Sequence, residues 1–152
     1  MTLTGSTTDG ARRVPTHELA SQLRVAVARL SRRLRAEKAD DALTDSQMAV
    51  LALISRHGVQ TLSQLSEFER VRLPSMNRTV TALVDVGYVT REQSTDDRRK
   101  VLLDITPAGA QLVLDTRRQR DEWLYARLAR LTPGERRTLA EATIILTDLA
   151  GR

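Results

Sequence analysis

The densest chemistry in this chain is a five-residue run, Asp96-Asp97-Arg98-Arg99-Lys100. Its carboxylates are sequence neighbours, as are those at 40–41 and 121–122, so no such pair converges on one substrate as an acid and a base would. What the run offers is reach toward an anion. Arginine on a protruding loop is favoured by the negative potential of a DNA minor groove. Asp96 is placed to pair with Arg98 and hold its guanidinium in one direction. Taken alone, the run is a solvated, weakly cationic turn.

A second group stands just before it. Ser75, Asn77, Arg78 and Thr81 lie on the outward side of a segment, 74–86, whose other side carries Met76, Val80, Leu83 and Val84. A helix of this kind fits a major groove and offers Ser, Asn, Arg and Thr to base edges and phosphates. Arg78 has the reach for either a guanine edge or a phosphate. Ser75 and Asn77, at the helix start, are better placed as phosphate neighbours.

Other chemistries find no residues. There is no cysteine, which removes disulfides, thiolate metal sites and cysteine redox switches. The histidines are His17 and His57, too few for zinc, which usually takes four ligands. His57 falls at a helix end, where an imidazole interacts well with the dipole. No glycine-rich phosphate loop and no G-x-S-x-G elbow is present. The chain reads as neither an enzyme nor a cofactor binder.

The elements that must position these groups follow from periodicity. Residues 1–15 are rich in Thr, Gly and Ser and read as an arm. Leu19, Leu23, Val27, Leu30 and Leu34 mark one face of a helix over about 17–38. Thr44 to Gln47 and Thr61 to Gln64 are capping boxes that open a second helix, ending near His57 and Gly58, and a short third. After a tight connection, Pro74 suits the first turn of the fourth helix, and Gly87 closes it. The period then falls to two over 88–93 and again over 100–105, which predicts a hairpin with the charged run at its tip. Thr106-Pro107 opens a fifth helix to Leu131, and Thr132 to Glu135 caps a sixth. There Leu139, Ala142, Leu146 and Leu149 line an apolar seam, expected to pack with the first helix in a dimer. The Arg117-Arg118-Gln119-Arg120 run reads as a solvated face of the fifth helix, with a DNA contact as the alternative, and Trp123 as packing, with a pocket wall as the alternative.

The fold class is therefore mainly α with a small β-hairpin, a winged helix-turn-helix between long helices. Composition agrees: 41% hydrophobic residues with only 3% aromatic build a core from Leu, Val, Ile and Ala. A net charge of +5 favours an anionic partner without establishing one. The first residues form no secretory signal, and the longest apolar run, Met48 to Ile54, is too short for a bilayer. A soluble, cytoplasmic protein with no membrane partner is expected.

The segment TLSQLSEFERVRLPSMNRTVTALVDVGYVTREQSTDDRRKVLLDITPAG, residues 61–109, resembles the MarR family of bacterial transcriptional regulators. The family's wing signature, Asp-x-Arg-Arg, is met by Asp96 to Arg99, and its Thr-x-x-Gly by Thr106 to Gly109. The resemblance runs from about 17 to 150. It implies a single domain over 16–152, with a DNA-binding lobe at about 44–106 and dimerisation helices at about 17–38 and 107–150. It implies a homodimer on a near-palindromic operator in double-stranded DNA, a repressor released by a small lipophilic or phenolic effector. On this reading Ser75, Asn77, Arg78, Thr81, Asp96, Arg98, Arg99 and Lys100 meet DNA. Ser94-Thr95 replaces the Asp-Pro of many members, which bears on the stiffness of the wing. The alternatives are a winged-helix module that binds protein, or a DNA-binding regulator without an effector.

Overall fold

Threonine hydroxyls start most of the helices. Thr44 opens α2 (Asp45–His57), Thr61 opens α3 (Leu62–Glu69), Thr106 opens α5 (Pro107–Leu128) and Thr132 opens α6 (Pro133–Ala150), each accepting from a backbone N–H of the first turn. In α2, α3 and α6 the N3 side chain reciprocates, completing the capping box read from sequence. At α6 the Thr132 backbone N–H and hydroxyl donate to Glu135 and hold its carboxyl below the ordinary value.

The computed structural model describes residues 15–97 and 100–151, so the reading of 1–14 as an arm lies outside it. It divides into two units, residues 1–33 and 34–152. The first contains most of α1 (Thr16–Ala36), a helix without a buried residue, on which Leu19, Val27 and Leu30 are exposed.

In the second unit, α2, α3, α4 (Leu73–Asp85) and the start of α5 close around one core. Leu51, Ile54, Leu65, Val80, Leu83 and Leu103 are fully buried there. Strand β1 (Gln60–Thr61) precedes α3, and the wing is β2 (Val89–Gln93) and β3 (Val101–Ile105), all antiparallel in the order β1-β3-β2. Strand β1 was not foreseen. It is two residues long, its Thr61 doubles as a helix cap, and its partners Leu102 and Leu103 are remote in sequence. Helix α5 stops at Leu128, short of the expected Leu131, because the N–H groups of Arg130 and Leu131 turn to the i−3 carbonyls.

The Thr-x-x-Gly segment is a joint. The Thr106 hydroxyl donates to Gly87 O at 2.8 Å and accepts from Gly109 N–H at 3.1 Å, while Thr106 N–H donates to Tyr88 O at 3.0 Å. A Cβ on Gly109 would lie 2.3 Å from Tyr88 O, so this close approach of α5 to the wing requires glycine. Nearby, Tyr88 Oη donates to Asp40 Oδ2 at 3.1 Å. That bond, partial burial and the carboxylate charge raise the phenol above its ordinary pKa. Among the described residues no helix is long and apolar enough to cross a membrane.

Candidate nucleic-acid interface

Helices α3 and α4 meet at a turn made by Arg70, the one non-glycine residue with positive φ among those described, at 52°. Its left-handed backbone caps α3 and lets Val71 N–H return to Ser66 O at 3.1 Å. Helix α4 then starts differently from the threonine-capped helices. Its N-cap is Arg72, with no side-chain cap, and Pro74 lies within its first turn. Met76, Val80 and Leu83 are buried, while Ser75, Asn77, Arg78 and Thr81 are all exposed. Ser75 and Arg78 are three apart and Asn77 and Thr81 four apart, so they form adjacent rows on one face. An N-terminus without a side-chain cap retains a positive dipole end for an anion.

The wing loop is closed by its own backbone. Ser94 N–H donates to Lys100 O at 2.9 Å and Lys100 N–H to Asp97 O at 2.8 Å. Ser94 Oγ also accepts from Asp97 N–H at 3.4 Å, so the serine at the position of the family's Asp supplies a turn contact of its own. Lys100 Nζ lies 4.0 Å from Asp97 Oδ2, an exposed pair worth little to stability. Asp96 is exposed. Arg98 and Arg99, and with them the expected Asp96–Arg98 pairing, lie outside the described residues.

One residue joined to this surface escaped the sequence reading. Arg91 of β2 donates from Nη2 to Asn77 Oδ1 at 2.8 Å, joining wing to helix. The signal was in the alternation of the strand. Val89, Arg91 and Gln93 share one face, Val89 is buried on it, and Arg91 pairs directly with buried Leu103. Arg91 is itself exposed, on the strand face that also carries buried Val89.

Behind this surface, within the second unit, Leu34, Met48, Ala52, Val113, Thr116 and Leu124 line a cavity of about 300 Å³ that Arg56, Arg117, Arg120 and Asp121 also border. Here the reading of 117–120 as a solvated face needs correction. Arg120 is half-buried, and its Nε donates to Leu34 O at 3.0 Å and Glu37 O at 3.1 Å, backbone carbonyls at the C-terminal end of α1. Arg118 does face solvent, pairing with Asp115 at 3.2 Å and Glu122 at 3.9 Å. Trp123 is not among the cavity's lining. It lies half-buried under the Arg127 guanidinium, 3.4 Å from the ring centroid. His57, at the end of α2, stacks on Phe68 with ring centroids 5.2 Å apart.

The MarR family pattern matches residues 43–101, from the start of the core through the wing. The HTH-type transcriptional regulator Mb0904 of Mycobacterium bovis is 41% identical over 131 residues, covering 86% of this chain and 92% of that protein. The chain belongs to the MarR family. Its relatives are HTH-type transcriptional regulators rather than enzymes. Among solved structures, a transcriptional regulator protein of Pseudomonas aeruginosa is 33% identical with a TM-score of 0.80, covering 95% of this chain and 99% of that one. The MarR winged-helix fold is shared with a MepR variant of Staphylococcus aureus solved bound to an oligodeoxyribonucleotide, at 17% identity and a TM-score of 0.68, covering 86% and 97% of the two chains.

Proposed function

We propose that this MarR-family regulator is a homodimeric repressor that reads a near-palindromic operator with α4, grips the flanking minor groove with the wing, and is released by a small lipophilic or phenolic anion. The observation that carries the reading is α4 itself. It is the helix of the winged lobe without a side-chain cap, it turns Ser75, Asn77, Arg78 and Thr81 outward, and Asn77 is bonded to Arg91 of the wing strand β2. Arg98, Arg99 and Lys100 supply the wing contacts, with Asp96 steering Arg98. The lobe spans about 44–106, and the helices on either side dimerise through apolar faces, those of α1 and of α6, that are largely left exposed. The MepR complex with DNA supports the mode of binding by fold. The cavity between α2 and α5 supports the effector. Its aliphatic walls suit an apolar ring, and Arg56 and Arg117 suit a carboxylate or phenolate. Such a regulator acts in the cytoplasm, where its operator is.

The test begins with duplexes enriched from a random library. Binding through phosphates must weaken steeply with salt. Arg98→Ala costs about 1–3 kcal/mol of affinity, and Asp96→Ala costs less. Five base pairs inserted between half-sites abolish binding, because they rotate one site to the far side of the duplex. Aromatic carboxylates and phenols release the duplex from wild type but not from Leu124→Trp, which fills the cavity. Salt-independent binding, or no enriched duplex at all, overturns the DNA-reading part of the proposal. Release that persists in Leu124→Trp overturns the effector part.

A further inference from the structure

Asparagine reads adenine by two bonds at once, Oδ1 accepting from N6–H and Nδ2 donating to N7. At Asn77 that contact meets a competitor. Its Oδ1 already accepts from Arg91 Nη2 at 2.8 Å, which takes one of the two acceptor positions of the oxygen. The orientation of the amide is chemically fixed, since a guanidinium carries only donors and its partner atom must be the oxygen. The bond is charge-assisted, hence stronger than one between neutral groups. One lone pair of Oδ1 remains, flanked by the Nδ2 hydrogens and the remaining Arg91 donors. The combined surface is donor-rich, and it repels another donor such as the adenine N6–H.

Resting on the proposal that α4 enters the major groove, we infer that Arg91 is a specificity-determining residue. By taking one acceptor position of Asn77 Oδ1 and setting its own donors beside the other, it disfavours the two-bond adenine contact and matches Asn77 to an acceptor-only edge, that of guanine with its O6 and N7. A phosphate has the same acceptor-only chemistry, and the two sources give different data.

Arg91 has a simpler role available as an exposed charge on β2, which lies at the edge of the sheet and needs protection from pairing with other chains. That role requires no bond to α4 and predicts no effect on base choice.

The experiment compares base preferences, by enrichment from a random duplex library, for wild type, Arg91→Met, Asn77→Ala and the double variant. Both residues are exposed, and a thermal melt of each variant verifies its fold. Wild type is expected to prefer guanine at one base pair per half-site that depends on Asn77. Arg91→Met frees Oδ1, and the adenine-to-guanine enrichment ratio at that pair rises about tenfold, the lower part of the range for a good two-bond contact. The double variant matches Asn77→Ala at that pair, because Arg91 acts there through Asn77. Uniformly weaker binding with an unchanged preference, and a salt slope lowered by roughly one unit per site, marks a phosphate contact and overturns the inference. So does a preference unchanged in every respect. If wild type enriches no sequence, it is the DNA-binding proposal that fails.

Discussion

The winged lobe and α6 are built from the same aliphatic residues and treat them oppositely. In the lobe Leu51, Ile54, Leu65 and Leu83 are 0% exposed. On α6, Ile144, Ile145 and Leu149 are 69%, 62% and 70% exposed, and no residue of the helix is buried. Both have well-made N-termini, so local helix signals do not separate them. The difference lies in partners. Three helices and a sheet give each lobe helix something to pack against, whereas α6 has an apolar face that stays exposed among the described residues. Single exposed aliphatics are ordinary, but a row of them along one helix marks an interaction surface. The lobe is a finished core, and α6 keeps an apolar face exposed.

The sharpest way to break this contrast is to truncate the finished core. Leu65→Ala removes a fully buried side chain and should cost about 2–5 kcal/mol, measured by urea unfolding. A cost under about 0.5 kcal/mol, the scale of ordinary surface substitutions, would show that the lobe is not tightly packed.

The matching change on α6 is Leu146→Glu. It should leave the helical signal of the lobe intact and convert a micromolar dimer to monomer in sedimentation. A dimer that survives this change removes α6 from the proposed interface.

Gly109→Ala probes the joint between wing and α5. With a Cβ 2.3 Å from Tyr88 O, the backbone must shift, at an expected cost of about 1–3 kcal/mol in thermal unfolding. A neutral result would mean that the joint is loose.

The smallest effect belongs to Tyr88→Phe, which removes the bond to Asp40 and should cost about 0.5–1.5 kcal/mol near neutral pH. Its pH signature has a definite sign. The folded protein favours the protonated phenol, so the raised pKa contributes stability below the ordinary value of 10.0 that is lost as pH rises through the folded value. Tyr88→Phe should flatten the alkaline limb of the stability curve, and an unchanged limb would exclude Tyr88 as its source.

Much of the molecule was legible because its causes are local. The capping boxes of Thr44, Thr61 and Thr132 act over three residues, and the change of period after Gly87 is visible in any short window. The outward row of Ser75, Asn77, Arg78 and Thr81 follows from helix geometry alone. The sequence by itself thus determined the order of the helices and the hairpin, the winged lobe and the outward face of α4.

Tertiary structure decided what each exposed or charged side chain meets. Arg91 and Asn77 are 14 residues apart, and Arg120 is 86 residues from Leu34 O. No periodicity joins such pairs, because a guanidinium at the end of a long side chain selects its acceptor from whatever the fold brings near. The same holds for β1, whose existence rests on β3 lying beside it. Propensity and capping are properties of neighbours in the chain. Partners of charge and the edges of a sheet are properties of neighbours in space, and only the folded chain assigns them.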